Sequence, residues 1–294
     1  MYNMDTMPLR KGHIWILIIA SAGQFFGGVL AILVGVIAPL ITITHHPELS
    51  SWLQGFIFSA GLIGIMLGSL LFGRLSDKYG YLFFFRLSPL LIVGSSLWLC
   101  FNPSLVTLPI NLLIIGLAIG GDYALDPSYV SEIMPQKWRR TMLGISKASS
   151  GVGNILMILV AWFVLKNSAD PAIWNRLFLF LTFFAALAFS GRLWFVESPE
   201  WLALHGKVQE AEKNIKHFLG KDVYIGELAN KKDQTTRPQA SAKDLFARGN
   251  IKRILLSGIP WGCEGMGVYG IGIFTPILLL TLGLVPSGEN PFDK

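Results

Sequence analysis

The sequence predicts an all-α, polytopic membrane protein, and three observations carry that expectation. Only 14% of its 294 residues are charged while 52% are hydrophobic, against roughly 25% charged in a soluble domain. Several apolar stretches reach the ~20 residues that a helix needs to cross the hydrocarbon core. The net charge of +6 is spread between those stretches rather than gathered on one patch, which speaks for membrane topology and against nucleic-acid binding.

The stretches cover 14–42, 52–73, 83–101, 105–131, 142–165, 173–196 and 254–285. Each is expected to be a helix, because lipid offers the backbone amides no partner outside the segment. The first runs from Ile14 to Thr44 without a charge, too long for the roughly 7–15-residue core of a cleavable signal, so it is expected to be retained. In the second, Gly61, Gly64 and Gly68 recur at helical spacing, which allows close helix contact. One set of loops carries Arg10, Lys11, Arg74, Lys78, Arg86, Lys137, Arg139 and Arg140, the other only Lys166 and Arg176. The basic set, with the N-terminus, is expected on the cytoplasmic side of the cell membrane. His45, His46 and Glu48 in the first outer loop read as solvated rather than metal-binding. Cys100 and Cys263 stand far apart and outside any C-x-x-C pattern, so neither a disulfide nor a zinc framework is expected.

Residues 197–250 break the pattern as the one long polar stretch. Trp201, Leu204, Val208, Ala211, Ile215 and Phe218 recur at helical spacing with charges between them, predicting an amphipathic helix against the cytoplasmic face. Residues 229–242 read as a linker. Three units follow: a six-span bundle over 1–196, the connector over 197–250, and a seventh span with the start of a second bundle over 251–294. The seventh span is rich in glycine and holds Pro260 and Pro276, so a kinked or partly unwound helix is expected there. Gly265, Gly267 and Gly270 fit G-x-G-x-x-G, but no strand precedes them and the dinucleotide reading fails.

Ionisable residues inside spans are costly and mark function. Asp122 and Asp126 share a face of the fourth span, with Pro127 following. Lys147 enters the fifth span from the inner side, where it can snorkel or pair with Asp126. Glu264 lies in the seventh span about 16 Å deep at ~1.5 Å per residue. Gln24, Tyr123 and Asn154 are candidates for neutral hydrogen bonds to a solute, with polar helix contacts as the other reading for Gln24 and Asn154. Asp122 is the leading candidate for a proton-responsive residue. No span carries a histidine or a nucleophile–base constellation, which argues against an intramembrane enzyme.

Three motifs carry a resemblance. The second-to-third loop reads Gly73-Arg74-Leu75-Ser76-Asp77-Lys78-Tyr79-Gly80. The fourth span reads Gly120-Gly121-Asp122-Tyr123-Ala124-Leu125-Asp126-Pro127, then Glu132, Pro135 and Arg139. The sixth ends Glu197-Ser198-Pro199-Glu200-Trp201-Leu202, followed by Gly206-Lys207 and Glu210-Ala211. In order and spacing these resemble the major facilitator superfamily, with features of sugar porters, organic-ion carriers and proton-coupled phosphate symporters. Tyr81, Val196 and Glu200 depart from the usual residues, and the first-span run Gly23-Gln24-Phe25-Phe26-Gly27-Gly28 lacks the acid of the phosphate-type relatives.

The resemblance implies a six-helix N-terminal bundle plus a seventh helix, and transport of a small polar solute by alternating access. An organic anion, phosphate and a sugar all remain open as substrate, with protons as a candidate co-substrate. Gly73, Arg74, Asp77, Lys78, Gly80, Glu132, Arg139 and Glu197 would form the cytoplasmic gate, the acid and its basic neighbours through ion pairs. No metal or other cofactor is implied. The family fold has twelve helices, so a continuation or a second chain is expected to supply the second bundle, and this chain alone is not expected to catalyse uptake. A scaffold or sensor that retains the fold without transporting is the alternative.

Overall fold

The computed structural model describes residues 2–45, 51–167, 171–220, 222–224 and 248–271, together with 275, 278 and 282. Its long helices are α1 (Lys11–Ala20), α2 (Ala22–His45), α3 (Ser51–Tyr79), α4 (Tyr81–Phe101), α5 (Leu108–Ile133), α6 (Gln136–Lys166) and α7 (Leu177–Arg192). The connector holds α8 (Pro199–Leu204) and α9 (Val208–Leu219), and α10 (Arg248–Gly265) follows. Among the described residues six spans are long and apolar enough to cross a bilayer: Lys11–Ile41, Gln54–Tyr79, Tyr81–Phe101, Leu108–Ile133, Gln136–Lys166 and Ile173–Arg192.

The bundle is apolar on both its inside and its outside, as a lipid-facing protein must be. Buried Leu33, Ile57, Ile92, Leu112, Met157 and Phe178 fill its interior. Leu70, Phe83, Ile155, Phe163 and Phe183 point outward from four different helices. Only 22% of the apolar window of α6 is buried inside the protein. Helices α3 and α5 approach closest, because glycine removes the side chains between them. A Cβ on Gly64 would collide with the Leu113 carbonyl, and one on Gly68 with the Leu117 carbonyl.

The first span is broken. Ser21 separates α1 from α2 and turns its hydroxyl back onto the Leu17 carbonyl at 2.6 Å. The amide of Gly23, left without a helical partner so near the start of α2, is free to bond elsewhere.

One end of the bundle gathers the N-terminal segment, the α3–α4 and α5–α6 turns and the connector. Tyr2–Asn3 pairs in parallel with Val223–Tyr224. Arg10 pairs with Asp222 at 2.6 Å, and its hydrogen bonds hold the exposed Asp222 carboxyl down to about 2. Arg139 pairs with Asp5 at 2.8 Å. A second buried cluster, including Met4, Ile16, Phe85, Tyr129, Leu202 and Ile215, fills this end.

Several sequence-based boundaries shift. The sixth span ends at Arg192 rather than at 196, since the chain leaves the helix before the Glu197 motif. Gly73 to Tyr79 is not a loop but the last two turns of α3, and the turn itself is Gly80 alone, at φ 95. Gly73 has no such backbone demand and faces the Ala124 methyl. His13 lies inside α1, where Nδ1 accepts the Arg10 amide at 3.0 Å. The single amphipathic helix is two: the chain turns at Gly206, φ 76, between α8 and α9. The seventh helix begins at Arg248 and widens into a π-helical stretch over Met266–Ile271. The outer-loop His46 and Glu48, the 229–242 linker and most of the seventh span beyond 271 lie outside the described residues.

Candidate functional site

Two polar groupings interrupt the apolar bundle, and they lie side by side along α5. The first is closed. Arg192, the last residue of α7, is fully buried, as are Asp122 and Asp126. Its Nη1 donates to Asp122 Oδ1 at 2.8 Å and to the Phe85 carbonyl at 2.9 Å, and Nη2 donates to Asp126 Oδ1 at 3.4 Å. The guanidinium also stands over the Phe85 ring at 5.0 Å. Asp126 Oδ2 accepts the Gly23 amide at 3.1 Å, so the break in the first span is satisfied by the fourth. A Cβ at Gly23 would strike both aspartates. Asp122 Oδ2 has no hydrogen-bond partner among the described residues.

The second grouping is open. A cavity of about 110 Å³ is lined by Gly27 and Gly28 of α2, Tyr123 of α5, Lys147, Ser150, Gly151 and Asn154 of α6, and Trp261, Glu264 and Gly265 of α10, with Val268 and Tyr269. Lys147 Nζ meets Glu264 Oε1 at 3.4 Å and stands over the Trp261 ring at 4.1 Å. The Tyr123 and Tyr269 hydroxyls share a hydrogen bond of 2.7 Å. Asn154 Oδ1 is buried without a hydrogen-bond partner among the described residues. Glycine at 27 and 28 makes the room, since a Cβ there would strike the Tyr123 hydroxyl and the Ser150 carbonyl respectively.

Of the residues singled out from sequence, Tyr123, Lys147, Asn154 and Glu264 therefore meet at one cavity. Asp122 and Asp126 do not line it. Asp126 pairs with Arg192 rather than with Lys147, because α6 turns that lysine toward α10. Gln24 is buried, and its Oε1 has no hydrogen-bond partner among the described residues. Arg192 was not anticipated. Its signal was present, a lone arginine flanked by Gly191 and Leu193 inside an apolar run, but near the end of such a run a long basic side chain can equally reach the interface.

The motif residues converge on the crowded end of the bundle, with contacts that differ from the expected ion pairs. Glu197 accepts the amides of Tyr81 at 2.7 Å, Leu82 at 3.2 Å and Ser198 at 3.0 Å. It thus caps the start of α4, and Gly80 has no side chain to block it. Glu132 accepts from the Ser198 hydroxyl. The Trp201 indole donates to the Asp77 carbonyl at 3.0 Å. Arg74, Asp77 and Lys78 form no ion pair among the described residues, and Arg139 reaches Asp5 instead of Glu132. The side chains of Arg74, Asp77 and Lys78 are exposed, where a pair would contribute only about 0–1 kcal/mol.

This architecture is that of the major facilitator superfamily. The chain belongs to the sugar (and other) transporter family, whose model matches residues 9–287. It is 28% identical over 282 residues to the putative metabolite transport protein YaaU of Escherichia coli, covering 96% of this chain and 61% of that one. To the D-xylose transporter of Levilactobacillus brevis it is 30% identical over 278 residues, covering 88% of this chain and 57% of the other. The chain thus spans about three fifths of the length of these curated relatives. The fold matches the xylose transporter XylE of E. coli in a partially occluded inward-open conformation, with a TM-score of 0.72 at 18% identity, over 89% of this chain and 65% of that one. The chain is a multi-pass membrane protein of a transporter family, not an enzyme.

Proposed function

We propose that this chain forms the first bundle and the first helix of the second bundle of a carrier that moves a small polar solute across the cell membrane by alternating access. The N-terminus and connector face the cytoplasm, and protons drive the movement. The observation that carries the reading is the polar cavity between the bundle and α10, set among helices whose outer faces are apolar. Such a cavity is expensive in a bilayer unless it holds something polar. The relatives support transport as the activity, and the basic loops support the orientation. A continuation or a second chain completes the path on the far side of the cavity.

The proton is assigned to Asp122. Two carboxylates face one guanidinium in the closed grouping, and one proton makes it neutral. Asp122 Oδ2, buried and without a hydrogen-bond partner among the described residues, is the seat left for that proton. The test is Asp122→Asn in the full-length protein, measured as radiolabelled uptake across a solute panel. Arg192 keeps Asp126 as its partner, so folding is expected to survive. Accumulation driven by a pH gradient should be lost while substrate exchange, which moves no net proton, continues. Unchanged pH-driven accumulation would make Asp122 a structural partner of Arg192 only.

A further inference from the structure

The open cavity carries an ion pair that is only partly buried. Lys147 and Glu264 come from helices on opposite sides of the cavity, and their side chains are 37% and 46% exposed. A pair this exposed stabilises little, so its partners are readily exchanged. No other cation lines the cavity among the described residues. Arg192 is buried elsewhere and taken by two aspartates. Around Lys147 stand the rings of Trp261 at 4.1 Å and Tyr123 at 5.8 Å, with Tyr269 bonded to Tyr123. The setting is one positive charge, one carboxylate already on it, and aromatic walls suited to a ring or short apolar body.

We propose that Glu264 stands in for the substrate's own carboxylate: the solute of this cavity is a small monocarboxylate anion that takes Glu264's place on Lys147. The assignment rests on the reading of this cavity as the solute site. A single lysine matches a single negative charge. A phosphate dianion calls for more than one cation or a cluster of amide donors, and among the described residues the lining offers a single lysine. A neutral sugar would leave the charge pair idle beside it. Exchanging Glu264 for the ligand also loosens α10 from α6, because this is the ion pair that joins them among the described residues.

The test is equilibrium binding of radiolabelled benzoate to the purified full chain in lipid nanodiscs, with benzamide, D-glucose and inorganic phosphate as competitors. Benzoate should bind saturably, and benzamide, its neutral isostere, at least about tenfold more weakly, the effect of losing one charge-assisted contact. Glu264→Gln removes the internal competitor and should tighten benzoate by about three- to tenfold. Lys147→Gln should lose at least about tenfold, and Lys147→Arg should recover most of it. Benzamide, glucose or phosphate competing as well as benzoate, no gain in Glu264→Gln, or no binding of any probe would overturn the assignment. Glucose uptake by the full-length protein without carboxylate binding would remove this proposal and leave transport standing. Carboxylate binding in a protein that moves no solute would do the reverse.

Discussion

Arg192→Met is expected to destabilise the bundle by about 3–5 kcal/mol, the cost of breaking a buried ion cluster by removing one partner. Methionine fills part of the arginine's volume, so the loss is electrostatic rather than a cavity. What remains is two fully buried carboxylates one helical turn apart, with the Gly23 amide still donating to Asp126. The Phe85 carbonyl loses its 2.9 Å donor at the same time. Thermal unfolding in detergent, read with the fraction that elutes as a single species, checks the effect. Adding Asp122→Asn and Asp126→Asn to Arg192→Met should restore much of the stability, because the cluster then holds no charge. A single variant as stable as the parent would show that Arg192 does not balance these acids.

Glu197→Ala is expected to cost about 2–3 kcal/mol, combining a lost helix cap with lost charge-assisted bonds. Three amides, those of Tyr81, Leu82 and Ser198, lose their acceptor together. Gly80 and Glu197 form one device: the left-handed turn opens the start of α4, and the carboxylate closes it. Glu197→Gln keeps an acceptor oxygen and should fall between the two. The measurement is the same unfolding series, with hydrogen exchange at Tyr81 and Leu82 as the local readout. Those two amides should exchange faster in Glu197→Ala than in the parent. Unchanged protection would assign their hydrogen bonds elsewhere.

The first six spans were legible in the sequence because lipid imposes the same demand on every segment that crosses it. Close helix contact along α3 was legible too, since Gly64 and Gly68 have few uses inside a span other than close approach, but α5 as the partner was not. Family motifs placed Glu132, Glu197 and Gly80 near one another. What they could not give was the partner of each charge, because hydropathy is silent on how a helix is rotated. Asp122 and Arg192 are 70 residues apart, and their meeting depends on the angle at which α5 and α7 pack. Lys147 shows the same limit from the other direction. Distance in depth favoured Asp126, while rotation of α6 gives it to Glu264. Ser21 was illegible for a different reason. A break without proline or glycine at its centre goes with a tertiary bond, the Gly23 amide donating to Asp126, rather than with local propensity.

The most direct measurement of the central claim is access to the cavity from both sides. Ser150 lines it on α6. In the full-length protein, with Cys100 and Cys263 replaced, Ser150→Cys is treated with an impermeant thiol reagent on intact cells and on inverted vesicles. Alternating access predicts modification from each face, with the transported solute slowing both. Reaction from one face alone under every condition, or from neither, would contradict it.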